Sequence, residues 1–213
     1  MSFDIICFDC DSTLSKIEGI DELASRVGLG EAMSKLTDAA MNGEVLLEAI
    51  YQQRLSLIRP DQDSINWVAD LYIEQIVDGV KAVFDALAAQ HKEVHIISGG
   101  LRQAILPLAR FLGLPETRVH AVDIYFNEDG SYRDYDQNSP LARSGGKAEI
   151  CRELLKSEAS LVMIGDGKTD MEAKQAGAVV IGFGGVVDRQ LVREQADFYC
   201  AEPSLVSVLA YIT

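Results

Sequence analysis

Short apolar runs set the rhythm of this chain. "FDIICFD" (Phe3–Asp9), "EVHIIS" (Glu93–Ser98), "LVMIGD" (Leu161–Asp166) and "AVVIGFG" (Ala178–Gly184) are near-continuously hydrophobic and short enough to be buried strands. Between them the apolar residues recur at helical spacing, in "LRQAILPLARFLG" (closed by Gly113), "KAEICRELLKS" and "DRQLVREQA". Strands that are apolar on both faces and alternate with helices predict an α/β fold, a parallel sheet covered by helices on both sides. Three of the runs end in a polar residue: Asp9, Ser98 and Asp166. Ligands of open α/β sheets bind beyond the carboxyl ends of the strands, so these three residues are expected to share one crevice.

The stretch from 15 to 75 has a different texture. "IEGIDELASRVGL", "GEAMSKLTDAAMNG", "VLLEAIYQQRLSLI" and "DSINWVADLYIEQI" all carry helical periodicity, punctuated by Gly28, Gly30, Gly43 and Pro60. This predicts a helical cap domain over 15–75, inserted into a catalytic core made of 1–14 and 76–213. An Asp129–Gly130 turn within "VDIYFNEDGSYRDY" predicts an antiparallel hairpin.

Composition narrows the partners. The 213 residues are 48% hydrophobic and 24% charged, and 33 acids against 19 Lys and Arg give a formal net charge of −14. That sign disfavours nucleic acid, which needs clustered cations. It also means that an anionic substrate would need local positive charge and a metal. "MSFDIICFDC" has no basic start of a signal peptide, and no apolar run reaches membrane-spanning length. Cys7, Cys10, Cys151 and Cys200 are too scattered for a disulfide framework, so a reduced cytoplasmic protein, a monomer or homodimer, is the expectation.

The candidate chemistry is carboxylate chemistry. Asp9 and Asp11 follow a strand two residues apart; on a continued extended path they project to one side, where their repulsion calls for a cation or a shared proton. "GDGKTD" holds a second pair, Asp166 and Asp170, with glycines that allow a tight turn. Carboxylates gathered at two strand ends form a hard-oxygen site suited to Mg²⁺. A divalent ion beside a carboxylate nucleophile is chemistry for phosphoryl transfer. Lys147, opening a helix after "SGG", adds a point charge for phosphate oxygens, and Ser98 with Gly99–Gly100 offers a hydroxyl and backbone N–H groups at a helix N-terminus.

Together, "FDCDST", "IISGG", Lys147 and "GDGKTD" resemble the four ordered motifs of the haloacid dehalogenase-like hydrolase superfamily, and "DCDST" with "KIEGIDELA" is similar to its phosphoserine phosphatase branch. The resemblance implies a Rossmann-like core with an inserted C1-type helical cap and hydrolysis of O-phospho-L-serine, a step of serine biosynthesis. It implies Asp9 as nucleophile and Asp11 as the acid and base. It places Mg²⁺ on the side chains of Asp9 and Asp166 and the Asp11 carbonyl, supported by Asp170, and phosphate on Ser98, Gly99 and Lys147. Glu18 would meet the substrate ammonium and Arg54 its carboxylate, with Met41 and Thr169 lining the substrate site. The chain departs from the pattern at Lys168 and Thr169, where many relatives carry Ala followed by Asn or Thr, and at Leu47, where some carry an aromatic.

Other readings remain to be weighed. The chemistry could serve phosphothreonine, phosphoethanolamine or a phosphosugar, or a phosphotransferase. Asp9 could instead hold phosphate as a receiver-like switch, and Cys7–x–x–Cys10 could be a redox or zinc pair, although no second cysteine pair lies near. "GKT" at Gly167–Thr169 lacks the P-loop glycine, since position 162 is Val, and "GFGG" lacks the dinucleotide spacing. Trp67 is expected in the cap core, and His91, His95 and His120 show no metal-ligand spacing.

Overall fold

A computed structural model describes residues 3–155 and 159–212; the last two residues of the helix expected over "KAEICRELLKS" lie outside them. In chain order the elements are β1 (Ile5–Phe8), α1 (Gly19–Arg26), α2 (Gly30–Met41), α3 (Leu47–Ile58), α4 (Gln62–Glu74), α5 (Val80–Ala89), β2 (Glu93–Leu101), α6 (Arg102–Phe111), β3 (Val119–Val122), β4 (Ile124–Phe126) and β5 (Tyr132–Tyr135). The chain continues through α7 (Gly146–Leu154), β6 (Leu161–Gly165), α8 (Lys168–Met171), β7 (Val179–Phe183), α9 (Gln190–Gln195), β8 (Phe198–Cys200) and α10 (Leu209–Ile212), with short 3₁₀ turns between.

Six strands form one parallel sheet in the order β3-β2-β1-β6-β7-β8. Every residue of β1 and β6 is buried, as expected of strands covered on both faces. The chain leaves β1 towards β2 and β3 on one side, then returns to place β6, β7 and β8 on the other. This reversal at β1 opens a crevice beyond the carboxyl ends. Register makes those ends flush: Phe8 pairs with Ile96 on one side and Ile164 on the other. Asp9, Ser98 and Asp166 therefore emerge at nearly one level.

The helices α1–α4 form an insert whose entry and exit run side by side. Ser15 and Ile76 form an antiparallel bridge, Lys16 N–H donates to Gln75 O at 2.8 Å, and Val77 N–H to Leu14 O at 2.9 Å. Asp61 caps α4 by accepting from Ser64 N–H at 2.8 Å, and α4 then packs along α6 of the core. Trp67, expected to be cap core, is only half-buried, with the Arg26 guanidinium 4.4 Å above its ring. The expected hairpin is present as β4–β5.

One local expectation is corrected. Ser98 does not start a helix: β2 runs on to Leu101, and it is Leu101 that precedes the first turn of α6. The Ser98 hydroxyl instead accepts from Gly100 N–H at 2.9 Å, holding a bend inside the strand end. The strands β3 and β8, four and three residues long, carry too little periodicity to stand out in the sequence.

Candidate active site

Asp9 follows β1, and its two oxygens are held differently. Oδ1 accepts from Cys10 N–H at 2.7 Å, while Oδ2 lies 2.8 Å from Lys147 Nζ. The same ammonium reaches Asp170 Oδ1 at 2.7 Å, and Lys147 is only 4% exposed. Burial alone would lower the Lys147 pKa, but the paired carboxylates of Asp170 and Asp9 outweigh it and push it up, so the lysine stays charged. Asp170 reaches this position by folding back under the strand end, where Oδ2 accepts from Gly167 N–H at 3.0 Å. Gly165 makes the room: a Cβ there would lie 2.0 Å from Asp170 Cγ.

Asp166 completes the group. Thr13 Oγ1 donates to its Oδ1 at 3.4 Å, and Arg189 Nε approaches Oδ2 at 3.4 Å while its Nη1 pairs with Asp38 of α2 at 3.0 Å. Carboxylate oxygens of Asp9, Asp166 and Asp170 lie within 4.8 Å of one another, all buried. Burial, followed by repulsion from neighbouring carboxylates, raises Asp166 to about 8 and Asp170 to about 7. Such a cluster has the oxygen chemistry, and a negative charge that Lys147 and Arg189 offset only in part, that suit a metal ion.

Asp11 is not part of this cluster through its side chain, which corrects the expectation of four converging carboxylates. The strand has ended at Phe8, and the chain turns through Ser12 in the left-handed region at φ 51°. Asp11 Oδ1 instead accepts from Gly19 N–H and from the Tyr72 hydroxyl, each at 2.7 Å, and Oδ2 faces the Ser98 hydroxyl at 3.4 Å. Burial and then Asp9 raise its pKa to about 6.

One cavity, holding roughly 840 Å³ of empty space counting solvent at its mouth, joins these groups to the helical insert. Asp9, Asp11, Ser98, Gly99, Lys147, Asp166 and Thr169 line its core side, and Glu18, Met41, Leu47 and Arg54 its insert side. The Glu18 carboxylate accepts from the Ser12 hydroxyl at 2.6 Å; burial, then Asp11 and Asp166, raise its pKa well above the ordinary value. Arg54 donates through Nη1 to Thr37 Oγ1 at 3.1 Å, whereas its Nε–H is buried with no hydrogen-bond partner among the described residues. Tyr51 spans insert and core, its hydroxyl donating to Gly99 O at 2.9 Å. Lys168 points away from a catalytic role, pairing with Glu172 at 3.3 Å.

Sequence reading alone left out Tyr72, Tyr51, Thr37 and Arg189. No local motif marks them, because each acquires its place through packing between distant segments. The cysteine pair has no redox or metal geometry: Cys7 and Cys10 are buried free thiols, and burial pushes both pKa values up.

The sequence profile of haloacid dehalogenase-like hydrolases matches residues 3–177. This chain belongs to that family. The haloacid dehalogenase-like span contains every site residue named above except Arg189. Among relatives, the phosphoserine phosphatase of Bos taurus is 38% identical over 204 residues, covering 94% of this chain and 90% of its own length. A phosphoserine phosphohydrolase-like protein of Francisella tularensis subsp. tularensis SCHU S4 superposes with a TM-score of 0.87 at 26% identity, covering 99% of both chains. A phosphoserine phosphatase solved as a phospho-aspartyl intermediate analogue superposes with a TM-score of 0.83 at 25% identity over 100% of each chain. Among the described residues no helix is long and apolar enough to cross a membrane.

Proposed function

We propose that this chain is a Mg²⁺-dependent phosphoserine phosphatase that hydrolyses O-phospho-L-serine through an aspartyl-phosphate. The observation that carries the substrate is Arg54: a buried guanidinium with an unpaired Nε–H in the cavity that also holds Asp9, Lys147 and Glu18. An unpaired buried donor is costly, and a substrate carboxylate would satisfy it. Glu18, lodged among carboxylates that raise its pKa, would welcome an ammonium. A phosphate, an ammonium and a carboxylate on one small molecule describe phosphoserine. The 38% identity to a phosphoserine phosphatase supports the same choice.

The chain's own groups then have defined tasks. Lys147, Ser98 and the Gly99 N–H hold the phosphate beyond the carboxyl ends of the central strands. Asp9 attacks phosphorus, forming an O–P bond as the bond to the serine oxygen breaks. Asp11 gives its proton to that departing oxygen. Water then attacks the aspartyl-phosphate, Asp11 takes the proton from it, and Asp9 is released together with phosphate. Asp9, Asp166 and the Asp11 carbonyl, with Asp170, would hold the cation, which when bound offsets negative charge on phosphate and nucleophile. The helical insert over 15–75 would act as the cap that surrounds the amino-acid end and excludes water. Four buried free thiols fit a reducing, cytoplasmic setting.

The test is phosphate release from phosphoserine with Mg²⁺ and after complete removal of metal with EDTA. Turnover is expected only with the cation; undiminished turnover without metal sinks the mechanism. Arg54→Ala separates phosphoserine from rival substrates. It should raise KM for phosphoserine roughly ten- to a hundredfold, by the loss of a charge-assisted pair, and leave phosphoethanolamine nearly unaffected. Equal effects on both would remove Arg54 as the carboxylate partner.

A further inference from the structure

A carboxyl group that delivers and retrieves a proton works only if that proton sits on the oxygen facing the substrate. The two oxygens of a carboxyl are equivalent until their neighbours distinguish them, and the neighbours of Asp11 do so sharply. Both close donors converge on Oδ1: the Gly19 N–H and the Tyr72 hydroxyl, each at 2.7 Å. Among the described residues Oδ2 has only the distant Ser98 hydroxyl, at 3.4 Å.

Tyr72 reaches Asp11 from far along the chain. It sits on α4, is 1% exposed, and lines the same cavity as Asp9 and Lys147. The absence of a side chain at Gly19 creates its place, because a Cβ there would lie 2.1 Å from the hydroxyl oxygen. The helix α4 packs along α6, which directly follows the Ser98–Gly100 strand end, so the ring is held between insert and core. A phenol keeps its proton at neutral pH, so the Tyr72 hydroxyl donates to Asp11 Oδ1.

We propose that Tyr72 is a positioning residue for the hydrolysis: with the Gly19 N–H it occupies Oδ1 of Asp11 and leaves Oδ2 as the oxygen that carries the proton. The inference rests on Asp11 acting as the acid and base proposed above. With both lone-pair directions of Oδ1 engaged, a proton on the carboxyl resides on Oδ2. From there it passes to the departing alcohol oxygen as the P–O bond breaks, and Oδ2 takes a proton back from the attacking water. Tyr72 is unchanged at the end of the cycle.

Tyr72→Phe removes the hydroxyl and keeps the ring. It should be compared with wild type on whichever of phosphoserine, phosphothreonine and phosphoethanolamine the wild type hydrolyses fastest. Loss of one hydrogen bond to a charged group should lower kcat about tenfold, keep KM within about twofold and leave the thermal unfolding midpoint nearly unchanged. In an Asp11→Asn background, followed by single-turnover phosphoenzyme formation, the same change should cost almost nothing, because the carboxyl it orients is gone. A purely structural tyrosine would instead lower activity by the same factor in both backgrounds. The inference falls if Tyr72→Phe is as active as wild type, if only KM changes, or if its effect persists unaltered in Asp11→Asn. A wild type inactive on all three esters removes the phosphomonoesterase reading, and with it this one.

Discussion

At the scale of single residues, the position of a carboxylate says what it can be, and its neighbours say what it is. Asp9 and Asp11 are two residues apart, yet they face different tasks. Asp9 is bonded to Lys147 and joins Asp166 and Asp170, whereas Asp11 is turned to Gly19 and Tyr72. The D-x-D spacing identifies the pair, but the bend at Ser12 that separates their roles depends on tertiary contacts with the insert. Asp9→Asn preserves shape and the contact with Cys10 N–H while removing the oxyanion proposed to attack phosphorus. Its kcat should fall by at least about a thousandfold with an intact circular dichroism spectrum, as expected when a covalent step loses its nucleophile. Steady-state turnover by a folded Asp9→Asn protein within about tenfold of wild type would take the nucleophile role from this residue.

At the scale of elements, the four short apolar runs became β1, β2, β6 and β7, because continuous hydrophobicity is what a strand buried on both faces requires. Ser98 was misplaced by the same logic. A serine followed by two glycines looks like a helix start, but pairing between Leu101 and Val122 carries β2 three residues further. The β2–β3 pair also contains a histidine contact that spacing gave no hint of. His95 Nε2 donates to Glu93 Oε1 at 2.9 Å, so its Nδ1 accepts from His120 Nε2 at 3.0 Å. Burial, then His95 and Arg102, push the His120 pKa from 6.5 down to about 4. Burial also lowers His95, against the pull of Glu93. Because the folded value lies below the unfolded one, the unfolded chain binds more protons in this window. The contribution to stability is complete above pH 6.5 and is lost as the pH falls towards 4. Between pH 6.5 and 4 the thermal midpoint of the wild type should therefore fall relative to that of His120→Asn, a comparison that cancels the titration of the buried carboxyls; a constant difference between the two proteins across that range would show that this pair contributes nothing.

At the scale of the whole molecule, a chain of net charge −14 buries the carboxylates of Asp9, Asp166 and Asp170 together, and Lys147 and Arg189 offset their mutual repulsion only in part. A cation bound there should stabilise the native state by mass action, by about 2.7 kcal/mol at a hundredfold excess over Kd. Differential scanning fluorimetry should show Mg²⁺ raising the unfolding midpoint of the wild type and much less that of Asp170→Asn. An equal rise with potassium chloride at matched ionic strength would reduce the effect to general screening. The sequence by itself determined the α/β class, the strand ends that carry Asp9 and Asp166, and the ordered motifs of the family, because burial and strand punctuation are written locally. Only the tertiary structure decided which oxygen of Asp11 takes the two close donors, why Asp170 fits beneath Gly165, that Tyr72 and Tyr51 bridge the insert and the core around one cavity, and that Arg189 ties Asp166 to Asp38 of the insert. Those facts depend on residues far apart in sequence meeting at ångström distances, and no local pattern encodes such a meeting.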